Sequence, residues 1–265
     1  MRVTIKLGGT ILEEEESRRE IVRQLAEAIH SRNEIIVVHG GGRSITRRLE
    51  QMGIPSRFAR GLRITDRETL AVALMVLAGE VNKNLVRTLG SAGVRAVGIC
   101  GADADCVRCE RMPPPAEDME DLGFVGVPDR VDRDFFEALL SSGLTPVVAS
   151  LALGPDRQLY NVNADQMAST IAWGTGSGSL VYLTDVPGVL DGAGEVIDHL
   201  GSPEIADMLR NGLLTGGMLP KTSACLDAIR HGVGTVRILP GRTPGLLSRF
   251  LRGQPAGGTQ IHGEG

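Results

Sequence analysis

The stretch GGMLPKTSA, from Gly216 to Ala224, comes close to the pattern of a phosphate-binding loop. That loop requires G-x-x-x-x-G-K-[ST], because its backbone N–H groups surround the phosphates. Pro220 precedes the lysine here, and proline has no N–H to donate and a fixed φ. Pro220 suits instead the first turn of a helix that Gly232 would end. Lys221 would then lie at a positive helix end, where it is either solvated or faces an anion.

Two further charged residues lie beside predicted buried strands. Lys6 stands in the apolar run IKLGG, where a lysine needs an anionic partner or a wet cleft unless the strand is a solvated edge. Asp165 follows Asn161 and Asn163 near the start of a predicted helix. Helix capping explains one of these three polar residues, but not all three beside a buried strand.

Glycine-rich loops follow the first two predicted strands. Gly8–Gly9 and Gly40–Gly42 allow backbone N–H groups to approach an anion closely, although tight turns use the same residues. Two such loops in succession favour function. His39 is the histidine of the chain that lies in a suspicious place, but the His-Gly-Gly-Gly run lacks the G-x-S-x-G motif of a serine hydrolase. Arg63 could bind a carboxylate in bidentate fashion or be a surface charge.

Apolar strand-like runs alternate with amphipathic stretches along the whole chain. This alternation predicts an α/β protein with a mainly parallel sheet that is covered on both faces. Ligands of such sheets bind at the carboxyl ends of the strands, so the residues above are expected to meet there. Thr65 and Glu68 predict a capping box at the start of the longest helix. The predicted strands are RVTIKLGG, EIIVVHGGG, RAVGICGAD, TPVVASLAL, LVYLTDV and TVRILPG.

Composition excludes several classes of partner. The net charge of −4 over 265 residues argues against nonspecific nucleic-acid binding. The apolar segment LAVALMVLAG, Leu70 to Gly79, is too short to span a bilayer and predicts a buried helix. The first residues run directly into a strand, so we expect no secretory signal and a cytoplasmic location.

Two segments are expected to be irregular. Cys106 and Cys109 have no second cysteine or histidine pair to complete a zinc site, so reduced thiols in a surface loop are expected. The proline-rich stretch around them predicts a hairpin or lid. The terminal GGTQIHGEG is expected to be a frayed tail.

Taken in order, the motifs of this chain resemble those of the amino acid kinase family, most closely its members that phosphorylate N-acetyl-L-glutamate. The matching stretches run from residue 2 to about residue 232, and as an ordered set they are highly specific. They are IKLGG, VVHGGG, GLRITDRETL, GEVNKNLV, GFVG, YNVNADQMA, LTDVPGVLDG and GGMLPKTSACLDA.

The resemblance implies an αβα sandwich of two lobes. Residues 1–160 would bind N-acetyl-L-glutamate and form the contact of a homodimer, and residues 161–265 would bind ATP with Mg²⁺. The γ-phosphoryl group would pass to the side-chain carboxylate, and the Mg²⁺ would be held mainly by the nucleotide phosphates, with no protein metal site. Arginine-regulated members carry an extra N-terminal helix, so a chain that begins at the strand implies no arginine feedback.

The resemblance also implies roles for individual residues. Lys6 and Lys221 would stabilise the transferring phosphoryl group, and Asp165 would orient both lysines. The substrate-binding positions are Gly41, Gly42, Arg63 and Asn161, with Arg63 on the α-carboxylate. The positions that match the nucleotide site are Gly8, Gly9, Asp185, Val186, Pro187, Gly188, Val189, Leu190, Leu213, Leu214 and Thr215.

Two alternatives stay open. N-acetyl-2-aminoadipate is one methylene longer than the acetylglutamate substrate, and one methylene changes binding by only about 1–3 kcal/mol. The other alternative is a non-catalytic sensor of acetylglutamate or nucleotide, although a sensor would be free to lose Lys6, Asp165 and Lys221.

Overall fold

An eight-stranded sheet forms the centre of the part of the chain that the structure, a computed structural model, describes: residues 1–59, 61–113, 121–214 and 216–263. Its strands lie in the order β12-β14-β13-β11-β1-β2-β8-β5, and every neighbouring pair is parallel except β13 and β14. The predicted α/β class with a mainly parallel sheet is confirmed. The strands of the sheet are β1 (Arg2–Leu7), β2 (Glu34–His39), β5 (Ala96–Cys100), β8 (Thr145–Ala149), β11 (Ser179–Thr184), β12 (His199–Gly201), β13 (Thr235–Pro240) and β14 (Thr259–His262).

A small four-stranded barrel lies beside the sheet. It consists of β6 (Val107–Arg111), β7 (Val125–Val131), β9 (Leu151–Leu153) and β10 (Leu159–Val162). The run TPVVASLAL, predicted as one strand, is two strands that pass from the sheet into the barrel. A short hairpin of β3 (Phe58–Ala59) and β4 (Leu62–Arg63) completes the described strands.

Helices cover both faces of the sheet. Within the described residues they are α1 (Gly9–Glu13), α2 (Glu15–His30), α3 (Gly42–Gln51), α4 (Arg67–Leu74), α5 (Asn82–Ser91), α6 (Arg133–Ser141), α7 (Ala164–Gly174), α8 (Ser202–Arg210), α9 (Met218–Arg230) and α10 (Leu246–Leu251). The π segment Met75–Val81 joins α4 to α5, so the chain is helical from Arg67 to Ser91. By length and composition alone that stretch could cross a membrane, and 44% of its most apolar window is buried inside the molecule.

Alternate residues of each strand pack on opposite faces of the sheet. In β1, Val3, Ile5 and Leu7 pack with α2, α5 and α10. Because side chains alternate along a strand, Lys6 projects to the other face, which α7 and α9 cover. The position of Lys6 on a central strand excludes the solvated-edge alternative.

Three expectations about local structure are wrong: the surface loop at Cys106 and Cys109, the capping box at Thr65 and the frayed tail at the end of the chain. Cys106 and Cys109 are buried, 0% and 1% exposed, and both belong to the apolar core; alternation along β6 points Cys109 inward, whereas Cys106 lies just before that strand. The helix after Thr65 begins one residue later than the capping box predicts: Asp66 is the N-cap, and its side chain accepts the N–H of Thr69. Thr65 instead donates its hydroxyl to the carbonyl of Arg63.

The supposed tail contains strand β14. It pairs with β13 and β12, and Ile261 is fully buried. The hydroxyl of Thr259 accepts the N–H of Val189. A four-residue strand between glycines carries too little periodicity to be recognised without its neighbours.

Replacing Ile261 with Ala should lower the free energy of unfolding by about 2–4 kcal/mol, because it leaves a cavity in the core. His262→Ala, at an exposed position of the same strand, is the matched control and should change it by less than about 0.5 kcal/mol. Urea unfolding measures both. Equal, small effects would mean that the segment frays.

Candidate active site

Asp165 lies between two buried lysines. Its Oδ1 is 2.8 Å from Nζ of Lys6 and 3.1 Å from Nζ of Lys221, and its Oδ2 is 3.2 Å from the latter. The three residues are 7%, 9% and 6% exposed, respectively. The structure therefore brings together the three residues that the sequence singled out, and the anion that Lys221 faces is a carboxylate.

Each member of this trio comes from a different element. Lys6 extends from β1, Asp165 is the second residue of α7, and Lys221 lies in the first turn of α9. Asn163 is the N-cap of α7, and its side chain accepts the N–H groups of Asp165 and Gln166. Capping is thus the role of Asn163, which leaves the carboxylate of Asp165 free for the lysines.

Burial and charge oppose each other at the trio. Burial lowers the pKa of Lys6, against the attraction of Asp165. Burial alone would raise the pKa of Asp165, but Lys6 and Lys221 hold it below its ordinary value. With Asp165 ionised and both lysines protonated, the trio carries one net positive charge, which suits an anion that arrives from outside.

The glycine loops lie next to the trio, and at Gly41 close packing leaves no room for a side chain. A side chain on Gly41 would come within 2.9 Å of Leu77 and 3.3 Å of Val81, both from the π segment. Gly42 begins α3, whose first N–H groups have no partner inside the helix. The N–H of Gly8 donates to the carbonyl of Leu183, whereas Gly9 is the first residue of α1. The loops therefore present the amide groups of helix starts, which favour anions.

A cavity of about 220 Å³ opens over these residues. Lys6, Asp165 and Arg63 line it. Gly9, Gly41, Gly42 and Asn161 also line it. Together with Gly40, six of the predicted substrate and loop positions thus share one cavity with two members of the trio.

Arg63 is held in place by three acceptors and a ring. Its guanidinium donates to the carbonyl of Gly42 and the hydroxyl of Thr46, both at 2.8 Å, and to the hydroxyl of Ser56. The ring of Phe58 lies 4.6 Å from the guanidinium carbon. The side chain is 7% exposed, so it is not a surface charge. Asn161 donates from Nδ2 to the hydroxyl of Thr65.

His39 supports the second glycine loop from below. Its Nδ1 donates to the carbonyl of Gly40, and its Nε2 accepts from Nδ2 of Asn82, each at 3.0 Å. Burial lowers the pKa of His39 to about 4, so the ring is neutral at pH 7. The sequence marked His39 but missed Asn82, since an asparagine inside a long helix carries no signal of its partner.

Of the predicted nucleotide positions that the structure describes, Gly9 alone lines this cavity. Asp185 follows β11 and is exposed, and burial, which alone would raise its pKa, is outweighed by hydrogen bonds from Thr10 and Thr184 that lower it. Gly188 and Val189 are buried beside Thr259, whereas Leu190 and Leu213 are exposed and Leu214 is buried. Val186 is half-buried and Pro187 exposed. Thr215 lies outside the described residues, and the roles of this set stay predictions.

Replacing Asp165 with Asn should lower the free energy of unfolding by about 3 kcal/mol, because it leaves two buried ammonium groups without an anion. The double variant Asp165→Asn/Lys6→Met should recover at least part of that loss, because one of the repelling charges is gone. Urea unfolding of the two single variants and the double variant gives the coupling. A double variant less stable than Asp165→Asn would contradict the electrostatic account.

Comparisons with known proteins identify the family of this chain. The sequence profile of the amino acid kinase family matches residues 1–240. The acetylglutamate kinase of Koribacter versatilis is 42% identical over 262 residues, 98% of each chain. That of Brucella suis biovar 1 is 41% identical over 266 residues, 98% of this chain and 90% of the relative.

Solved structures share the fold. The smu.665 protein of Streptococcus mutans UA159 superposes with a TM-score of 0.84 at 25% identity, over 98% of both chains. The N-acetylglutamate synthase of Neisseria gonorrhoeae, solved with coenzyme A and N-acetyl-glutamate, gives 0.86 at 22% identity over 100% of this chain and 60% of its own. With a family profile that covers most of its length and relatives above 40% identity, the chain belongs to the amino acid kinase family.

Proposed function

We propose that this protein is an acetylglutamate kinase of arginine biosynthesis, located in the cytoplasm. It transfers the γ-phosphoryl group of ATP to the side-chain carboxylate of N-acetyl-L-glutamate and releases ADP. The observation that carries the proposal is the buried Lys6–Asp165–Lys221 trio beside a cavity that also contains Arg63. Relatives named acetylglutamate kinase, at 40–42% identity, support the choice of substrate.

The chemistry requires charge stabilisation more than proton transfer. The attacking carboxylate is already an anion, so no general base is needed. A bond forms between a carboxylate oxygen and the γ-phosphorus while the bond from that phosphorus to the β–γ bridging oxygen breaks, and its electrons leave with ADP. Catalysis of such a transfer is mainly positioning and stabilisation of the charge on the phosphoryl oxygens. The net positive trio and the glycine N–H groups supply both.

The roles of the two lysines follow from their places. Lys6 lines the cavity and is next to Gly9, so it contacts the transferring group from the acceptor side. Lys221 approaches from the start of α9, on the side of the proposed nucleotide residues. Asp165 attracts both ammonium groups, offsets their mutual repulsion and does not itself react.

The acceptor substrate is oriented through its α-carboxylate, at the end opposite the reacting side-chain carboxylate. Arg63 is buried, fixed by three hydrogen bonds, and lines the cavity together with Asn161. Nη2 donates both of its N–H groups to Gly42 and Thr46, and Nη1 donates one to Ser56, so these bonds leave the Nε–H and the second Nη1–H to donate to a carboxylate. Arg63 would thus hold the α-carboxylate, while the side-chain carboxylate points to Lys6.

ATP would bind over the carboxyl end of β11, at Gly8, Gly9, residues 185–190 and residues 213–215. A search of the described residues finds no cluster of three His, Cys, Asp or Glu that could hold a metal ion. Asp185 is an exposed, ionised carboxylate at this edge, which fits a Mg²⁺ ion that is held mainly by phosphates. Such an ion would neutralise charge on the transferring phosphoryl group. We assign acceptor binding to residues 1–160 and ATP binding to residues 161–265.

A homodimer through the first of these segments is also proposed. Several exposed large apolar side chains belong to it: Leu74 and Met75 at 37% and 52% exposed, and Met52 and Phe58 at 52% and 56%. Helix α3, which ends next to Met52, packs against α4 and the π segment. Apolar side chains of this size are more often covered than left in water.

Met75→Glu should shift the protein from dimer to monomer in sedimentation equilibrium, because the charge would be buried in the contact. Ala193→Glu, at an exposed position in the second segment, should leave the mass unchanged. A wild-type monomer at micromolar concentration would refute the dimer.

The chain has only three lysines, and Lys83, the one outside the trio, serves as the control in the activity test. Lys221→Ala should lower kcat by about 10²–10³-fold, because it removes one stabilising charge, with KM for N-acetyl-L-glutamate within about threefold. Lys83→Ala removes the exposed third lysine, which donates to the carbonyl of Gly98 and to Oδ1 of Asn82, and should retain kcat within about threefold, because Asn82 contacts His39 through Nδ2. Hydroxylamine trapping of the acyl phosphate measures turnover.

The same assay separates the alternatives. N-acetyl-L-glutamate and N-acetyl-L-2-aminoadipate are run side by side with ATP and Mg²⁺. A preference for the longer acid would keep the mechanism and change the substrate. No hydroxamate from either acid, together with measurable acetylglutamate binding, would indicate a sensor and reject the kinase.

A further inference from the structure

Tyr182 contacts the catalytic trio, although no sequence motif singles it out. It lies on β11, directly opposite Lys6 of β1 in the parallel register, so both side chains project to the same face. Its side chain is fully buried. Its hydroxyl donates to the backbone carbonyl of Asp165 at 3.1 Å, and Nζ of Lys221 lies over its ring, 5.1 Å from the centroid.

The charge balance of the trio explains why an aromatic ring is a better partner for Lys221 than a second carboxylate. Asp165 is one carboxylate that pairs with two buried ammonium groups; Asp185 adds an attraction to Lys6, whereas the ion pair of Lys221 is with Asp165. A second carboxylate would stabilise Lys221, but it would also cancel the positive charge that a phosphoryl group requires. The face of an aromatic ring attracts an ammonium group within about 6 Å without adding net charge.

We propose that Tyr182 is a positioning residue of the phosphoryl-transfer site. Its ring holds the ammonium group of Lys221 at a fixed height above β11, and its hydroxyl fixes the first turn of α7, which carries Asp165. Tyr182 lies on a central strand, so its position is rigid. The elements that carry Lys6, Asp165 and Lys221 are therefore all positioned relative to this one side chain. This inference rests on the proposed kinase function for its kinetic part only.

The contact itself can be tested without any activity. Protein labelled with ¹³C-lysine has three sets of side-chain signals, one for each lysine. A ring current from Tyr182 should shift the ε-methylene signal of Lys221 upfield. Tyr182→Leu should abolish that shift, Tyr182→Phe should retain it, and the Lys83 signal should be the same in all three proteins. An unshifted Lys221 signal in the wild type would overturn the proposed contact.

The kinetic test compares the same variants with a matched truncation in the same core. Phe136 is also fully buried and packs in the same apolar cluster, so Phe136→Leu reproduces the loss of an aromatic ring away from the trio. Tyr182→Leu should lower kcat by about 10- to 30-fold with both KM values nearly unchanged, because a desolvated cation–π contact is lost. Tyr182→Phe should stay within about threefold of the wild type, since only one neutral hydrogen bond is lost.

The outcomes separate this inference from the proposed function. No turnover by the wild type would refute the kinase, whereas the lysine signals would still decide the contact. Turnover by the wild type with Tyr182→Leu no slower than Phe136→Leu would overturn the positioning role. So would a Phe variant as slow as the Leu variant, because the ring would then contribute nothing. Thermal unfolding of all variants establishes that each one is folded.

Discussion

The buried trio of Lys6, Asp165 and Lys221 is the constraint on which the rest of the structure depends. Two ammonium groups and one carboxylate are each less than 10% exposed, and removal of charges from water is unfavourable unless they are paired. Their pairing is incomplete by one charge. The fold therefore holds a buried group of charges with a net positive balance, which an anion can compensate.

The parallel sheet and its helices bring the three charged side chains close enough to pair. Adjacent strands β1 and β11 place Lys6 and Tyr182 on one face, and the starts of α7 and α9 bring Asp165 and Lys221 to the same point. The packing of α7 on α9 fixes the distance between these helix starts. The chain uses lysine here although arginine is far more abundant in it. A compact ammonium group can approach one carboxylate oxygen alongside a second lysine, whereas a planar guanidinium would occupy both oxygens.

The opposite wall of the cavity is built by different means. The second glycine loop needs glycine because its backbone packs closely: Gly41 lies against the π segment. Neutral His39 donates a hydrogen bond to the carbonyl of Gly40 in the same loop. Arg63 has its guanidinium fixed by three acceptors before any substrate arrives. Because this histidine is neutral, the positive charges that line the cavity, among the residues that the structure describes, are those of Lys6 and Arg63.

The sequence by itself determined the α/β class, the family and the identity of the charged residues, because strand periodicity, glycine loops and unusual lysines are local signals. It could also predict that Lys6 needs an anion. The family resemblance also implied that Asp165 orients both lysines. The sequence could not find Tyr182, Asn82 and strand β14. Those features rest on contacts between residues far apart in the chain, such as Tyr182 on Lys221 and Asn82 on His39. Only tertiary packing brings them together, so only the structure decided them.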